Sequence, residues 1–291
     1  MTGASGLVGA ALCALATKDG HDVFAGFNST RPLYGKPTRL ALSGADDVVG
    51  IVRAVEPEVI IHTAALTDVD QCEQQVELAE RVNGIATGEI GEAARNVGAH
   101  VTYVSTDYVF SGEEGNYGEE TRPNPLSEYG RSKLLGEKLL AESGAACCVG
   151  RASVIYGWGK PQKPNFALFV LKALERKREV KAAFNLYCSP TLNTNLAEML
   201  LELAKRRLTG VFHVSGATRV SRFEFSTELA KQFGMDSKFI MPVDWRTLNL
   251  DAIRPRDSSL NVSKAMKTLN VKPLDLAEAL SLFRKSRASA I

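Results

Sequence analysis

The feature that most constrains this chain is the alternation of strand-like and helix-like patterns along its first half. HDVFAGF (21–27), EVIIHTAA (58–65), HVTYVST (100–106) and AACCVGRAS (145–153) are apolar runs of strand length. Each is separated from the next by enough residues for a crossover helix. Strands joined by such crossovers run parallel, so the pattern predicts an α/β fold: a doubly wound parallel sheet with helices on both faces. VELAERVNGIATGEIGEAARNVGA (76–99) carries apolar residues at helical spacing and stops before Gly98, which predicts a long helix packed behind that sheet.

The chain opens MTGASGLVGAAL, where Gly3, Gly6 and Gly9 precede a small-residue helical pattern. A dinucleotide's pyrophosphate needs a tight turn, bare backbone N–H groups and a helix packed close to the preceding strand. Gly3, Ser5, Gly6, Leu7 and Val8 are expected around the pyrophosphate, with Ala64 and Ala65 on the nicotinamide side. Only Met1 and Thr2 precede the turn, where a buried strand of about five residues is expected. The expectation is therefore that the natural chain begins a few residues upstream or that another segment fills the gap. Direct pairing of the two flanking strands would contradict it.

Past Tyr156 the rhythm changes. NFALFVLKALERKR (165–178) and TNLAEMLLELAKRR (194–207) are amphipathic helices, VKAAF (180–184) is a short strand, and helical patterns at 221–233 and 274–286 flank Pro-containing loops. The expected organisation is a dinucleotide-binding domain over 1–153, completed by about 180–215. Residues 154–179 and 216–291 would form a smaller substrate-binding domain at the carboxyl edge of the sheet, where open α/β sheets bind ligands.

Thirty-five basic and 33 acidic side chains leave a net charge of +2, so no global field favours nucleic acid or an anionic membrane. No apolar run approaches the ~18 residues of a membrane span, and no signal segment opens the chain. A cytoplasmic location is expected. The five cysteines have no C-x-x-C spacing and are read as reduced, structural thiols; Cys147 and Cys148 would point to opposite faces of one strand.

The candidate chemistry lies in two segments. Tyr129 and Lys133 in SEYGRSKLLGEKLL are four residues apart, so on a helix both emerge on one face. VTYVSTDYVF ends a strand with Ser105, Thr106 and Asp107, at the sheet edge where reactive groups gather. Just after the second strand, where an acidic residue would accept the adenine ribose hydroxyls of NAD, FNSTRP offers Asn28, Ser29, Thr30 and Arg31 and no carboxylate. A guanidinium with hydroxyls suits a 2′-phosphate, so NADP(H) is expected in preference to NAD(H).

TGASGLVG, HTAALTDVDQCE, VSTDYVFSG, YGRSK and RPRDSSL stand in the order and approximate spacing of the extended short-chain dehydrogenases, and the chain resembles the dTDP-4-dehydrorhamnose reductase group along nearly its whole length. The resemblance implies NADP(H)-dependent reduction of a nucleotide-linked 4-keto-6-deoxy sugar, with Tyr129 as proton donor. Lys133 would favour the phenolate and bond the nicotinamide ribose, and Thr106 would polarise the carbonyl. It also implies that Asn83 places a water near Lys133, the alternative being a plain helix-surface amide. Leu66 and Ser105 would join the cofactor site.

On the substrate side the resemblance implies Thr67, Asp107, Tyr108, Asn165 and Arg254. Asn165 would either cap a helix or face the cleft; Arg254 would contact the sugar nucleotide or form an ion pair with Asp257 or Asp251. Departures from the group's pattern are Val154 in place of a tryptophan, Asn195 in place of an aspartate, and Ala11 where a magnesium-using branch has a glutamate. No metal is expected. A homodimer and a monomer both fit. Two other functions fit the same motifs: a binding module resembling the regulatory beta subunit of methionine adenosyltransferase, and a nucleotide-sugar epimerase or dehydratase that retains NAD.

Overall fold

The computed structural model describes residues 1–44, 46–159 and 165–289. The first helix, α1 (Leu7–Lys18), follows the glycine turn directly. It is succeeded by β1 (Phe24–Phe27), β2 (Lys36–Arg39), α2 (Val48–Val55), β3 (Val59–His62), α3 (Val69–Gln74) and α4 (Val76–Ala79). A π-helical turn, Glu80–Ile85, then passes into α5 (Ala86–Val97). Gly98 ends that helix in the left-handed conformation, the C-terminal stop its sequence predicts. Next come β4 (His100–Thr106), α6 (Glu128–Glu142), β5 (Cys147–Ala152) and β6 (Ile155–Tyr156).

Strands β3, β4 and β5 pair in parallel, in that order. Their apolar runs are buried on both faces because helices cover both. Cys148 lies in the core against α1, while Cys147 packs against the opposite core. Strand β1 pairs only with β2 among the named strands, and β1 and β3 do not pair with each other. Met1 and Thr2 bridge them: Gly26 N donates to Met1 O (2.7 Å), and Thr2 N donates to Ile61 O (3.1 Å).

The remaining elements are α7 (Phe166–Glu175), β7 (Val180–Ala183), β8 (Tyr187–Cys188), β9 (Thr191–Leu192), α8 (Asn193–Lys205), β10 (Gly210–His213), β11 (Val220–Ser221), α9 (Arg222–Phe233), β12 (Ile240–Val243), α10 (Ser263–Thr268) and α11 (Leu276–Lys285). Strand β10 extends the main sheet beside β5, and α8 packs on α1. Two segments depart from the expected domain limits. Strand β7 pairs with β12, and Val180 and Ala182 belong to the second core with Phe225 and Phe283, so 180–183 lies in the smaller unit. Ala265 of α10 joins the first core. In both cases burial of apolar side chains, rather than position in sequence, assigns the segment.

Asn195, in the aspartate's place, is buried and ties α8 to the C-terminal segment: its side chain donates to Lys272 O (3.1 Å) and accepts from Leu274 N (3.3 Å). Among the described residues no helix is long and apolar enough to cross a membrane, and no cluster of three His, Cys, Asp or Glu could hold a metal ion. All five cysteines are free thiols.

Candidate active site

Helix α1, the β3 exit and the start of α6 meet at the carboxyl edge of the sheet. Gly3 holds φ of +64° and lies so close to Ala64 that a side chain would strike its backbone. A Cβ on Gly9 would run into the Gly3 carbonyl, so only glycine lets α1 seat on the turn. Gly6 caps α1 without a side chain, which leaves the first N–H groups of the helix, with its positive dipole end, open to an anion.

Ser127 caps α6 by accepting from Gly130 N, so Tyr129 stands at the second helical position and Lys133 one turn along. The positive end of the helix therefore lies beside the phenol. Tyr129 shares a hydrogen bond with the Thr106 hydroxyl, but desolvation outweighs it and holds the phenol's pKa above its usual range. Thr106 donates to Asp107 Oδ1 (3.1 Å) and accepts from Tyr108 N (3.2 Å), which fixes its hydroxyl at the end of β4. The Lys133 ammonium donates to Val104 O (2.7 Å) and rests 4.1 Å from the centre of the Tyr103 ring. Burial lowers its pKa to about 7, against a raising effect of the Glu137 carboxylate. Tyr129 and Lys133 thus emerge on one face of α6, as their spacing predicts, and the Thr106 hydroxyl meets Tyr129.

Several expected site residues have other partners. Asn83 is fully buried on the π-helical turn, which excludes a surface amide. Its side chain accepts from Leu66 N (2.8 Å), donates to Leu66 O (3.0 Å) and donates to Ser132 Oγ (3.0 Å). Its side chain thus ties the Leu66 backbone to Ser132 of α6. Ser105 donates to Glu137 Oε1 (2.5 Å), within a buried ion pair between Glu137 and Arg151 (2.7 Å).

Asp107 accepts from Ser153 (2.7 Å), Ser258 (2.5 Å) and Thr106, so its buried carboxylate is committed to the protein instead of a substrate. Burial raises its pKa and the hydroxyls oppose that. Asn165 caps α7: its oxygen accepts from Leu168 N (3.2 Å), and its amide donates to Gly157 O (2.8 Å). That resolves its two expected roles in favour of the cap.

Arg254 pairs with neither Asp257 nor Asp251. It donates to Asp70 of α3 (2.8 Å) through one terminal nitrogen, while Nη1 is buried with no protein partner among the described residues. Asp257 takes Arg219 (2.6 Å). Tyr108 stacks edge-on to Tyr129 (5.9 Å between ring centres), and Thr67 is exposed beyond it along the β3 exit. Val154 holds φ of +39° between β5 and β6, a sparsely populated conformation for a β-branched residue.

Asn28, Ser29 and Arg31 are exposed after β1. Arg39, at the end of β2 opposite Phe27, reaches Asn28 Oδ1 (3.5 Å) and brings a second guanidinium to that corner. Nothing in the sequence around Arg39 marks it, since only strand pairing brings it there. Arg222, also missed, opens α9, shares a hydrogen bond with Tyr108 and lies 5.0 Å from the Phe166 ring centre. Glu137 was legible in principle: it continues the 129–133 face by another four residues.

A family model for the RmlD substrate binding domain matches residues 1–288. The chain is similar to a hypothetical dTDP-4-dehydrorhamnose reductase from Sulfolobus tokodaii (37% identity, TM-score 0.85), over 94% of this chain and 96% of that one. It is also similar to a dTDP-4-dehydrorhamnose reductase from Bacillus anthracis solved with NADP (28% identity, TM-score 0.88), over 98% and 97%. Among curated proteins, the methionine adenosyltransferase 2 subunit beta of Pongo abelii is 31% identical over 278 residues, covering 93% of this chain and 82% of that protein.

Proposed function

The chain belongs to the RmlD substrate binding domain family, and from that membership and its site we propose that it reduces the C4 keto group of a dTDP-linked 4-keto-6-deoxy sugar with NADPH, forming dTDP-L-rhamnose. The observation that carries the proposal is the convergence of Thr106, Tyr129 and Lys133 beside a glycine turn whose shape excludes side chains.

The residues present fit a dinucleotide. The open N-terminus of α1 with Gly3, Ser5, Gly6, Leu7 and Val8 would receive the pyrophosphate. Ala64, Ala65 and Leu66 would line the nicotinamide side, and Arg31 with Arg39 would meet the adenosine 2′-phosphate. When bound, the nicotinamide would supply the hydride. Tyr129, protonated at neutral pH, gives its proton to the sugar oxygen, while Thr106, turning its one hydroxyl proton from Asp107 to that oxygen, holds it by a hydrogen bond. The Lys133 charge and the α6 dipole stabilise the phenolate left behind. On the sugar-nucleotide side we place Tyr108, Thr67 and the free edge of Arg254.

The test is turnover of dTDP-4-keto-6-deoxy sugars with NADPH and with NADH. Consumption of NADPH by the wild-type chain and a loss of at least about a hundredfold in Tyr129→Phe are expected. The likeness to a methionine adenosyltransferase subunit favours one second reading, a nucleotide-binding partner subunit. Tight NADPH binding with no sugar reduction would establish that reading in place of the first.

A further inference from the structure

Lys133 is buried, and among the described residues no carboxylate pairs with it. One of its three N–H donors goes to Val104 O, its one hydrogen bond among those residues. Glu137, one turn further along α6, is already engaged: Arg151 of β5 holds it through Nε (3.0 Å) and Nη2 (2.7 Å), and Ser105 donates to it. The neighbouring titratable groups add no negative charge. Burial keeps His62 of β3 neutral, and it keeps the phenols of Tyr103 on β4 and Tyr129 on α6 protonated. An ammonium withdrawn from water without a paired charge gives up its proton readily.

What the fold sets against this ammonium is an aromatic face. Nζ lies 4.1 Å from the centre of the Tyr103 ring, inside the ~6 Å over which a ring quadrupole attracts a cation. The ring is fixed from two sides. Its hydroxyl donates to Asn83 O (3.1 Å), and its plane stacks on His62 with 5.2 Å between ring centres. Gly136 makes the approach possible, because a Cβ there would come within 2.6 Å of the Tyr103 hydroxyl and 2.3 Å of Asn83 O. The missing side chain lets α6 carry Lys133 onto the ring.

We propose that Tyr103 is a positioning residue for Lys133: its buried ring face holds the ammonium at the end of β4 and preserves the positive charge on the helix face that Tyr129 shares. The ring carries the effect, and the hydroxyl only orients the ring. A desolvated contact of this kind favours the charged lysine by roughly tenfold or more. The consequence for turnover rests on the reductase reading, whereas the contact itself does not.

The experiment separates ring charge from ring shape. Tyr103→Phe is compared with chains carrying mono-, di- and trifluorinated phenylalanine at position 103, which weaken the quadrupole at nearly constant size. Three quantities are read: the titration midpoint of Lys133 from the carbon-13 signal of its ε-methylene, assigned by its absence from Lys133→Met; Tm at pH 6 and pH 9; and kcat at pH 7. The midpoint is expected to fall stepwise by about one pH unit across the series. Tm at pH 6 and kcat should fall in the same order, while Tm at pH 9, where the folded lysine is already neutral, stays constant. An unchanged midpoint, or a Tm that falls equally at both pH values, overturns the proposal and leaves Tyr103 a packing residue. A midpoint that shifts in a chain that reduces no keto sugar upholds the ring–ammonium contact and overturns the reductase reading instead. If Tyr103→Phe fails to fold, comparing fluorotyrosine at position 103 with Tyr103 itself makes the same test with the bond to Asn83 kept.

Discussion

Asn83 and Leu66 exchange two hydrogen bonds: the Leu66 amide donates to the Asn83 side-chain oxygen at 2.8 Å, and the Asn83 amide donates to the Leu66 carbonyl at 3.0 Å. The pair fastens the loop leaving β3 to the π-helical turn and, through Ser132, to the helix that carries Tyr129 and Lys133. Asn83→Leu removes these bonds and leaves the half-buried Leu66 amide without its partner, a cost of about 1–3 kcal/mol. The expected outcome is a lowered Tm with a raised Kd for NADPH, measured by thermal melting and calorimetric titration.

Arg39 reaches Asn28, three residues before the exposed Arg31. Replacing either with alanine is expected to weaken NADPH binding by about 1–3 kcal/mol and to leave NADH nearly unchanged, since only NADPH carries the 2′-phosphate. Titration of both cofactors against both variants checks this, and equal losses for the two cofactors would place the phosphate elsewhere.

Lys133 links activity to pH. Its pKa of about 7 in the fold lies below the ordinary 10.5, so between those values the unfolded chain holds a proton that the folded chain has released. Stability therefore rises with pH across that window, and at or below pH 7 the buried ammonium costs in full. Lys133→Met is expected to stabilise the protein at pH 6 by about 1–3 kcal/mol while abolishing turnover. The wild-type reductive rate should fall as pH rises above about 7, because Tyr129 keeps its proton but loses the neighbouring charge. Denaturant melts at pH 6 and 9, with a pH–rate profile, test both parts.

His62 and His213 are buried, and desolvation lowers each pKa to about 3. Below about pH 6.5 the unfolded chain takes up protons that both folded imidazoles refuse, so stability should fall with acidification by up to about 2.7 kcal/mol per pH unit from these two groups. His62 accepts no charge where it sits, between Thr2 Oγ (2.6 Å) and Thr87 Oγ (3.1 Å). Urea melts between pH 7 and 4.5 measure the slope, which should drop by about half in His62→Gln.

Arg254 and Asp70 tie the loop around residue 252 to α3, reinforced by Ala252 N donating to Asp70 Oδ1 (3.0 Å). Asp70→Asn is expected to lower Tm with little change in KM for the sugar nucleotide. Arg254→Ala should lower Tm and also raise that KM by roughly tenfold, as expected when a charged contact is lost. A KM unchanged in Arg254→Ala would leave this arginine a purely structural tie.

By itself the sequence determined what depends on short-range periodicity. Runs of strand length separated by crossovers dictate the parallel sheet, glycines at 3 and 9 allow α1 to seat on its turn, and a four-residue spacing puts Tyr129 and Lys133 on one face. Only the tertiary structure decided which partner each polar group takes. Arg254 has aspartates close by in sequence, yet it pairs with Asp70, 184 residues away. Ser105 and Asp107 sit at a strand end like functional groups, yet both are turned to buried protein partners. Strand β7, read from sequence as part of the larger domain, is claimed by β12 and the second core. The backbone pattern is local because dihedral preference and burial of one face act within a few residues. Partner choice is not, because a buried charge or amide is satisfied by whichever group the packing of distant elements brings within hydrogen-bonding reach.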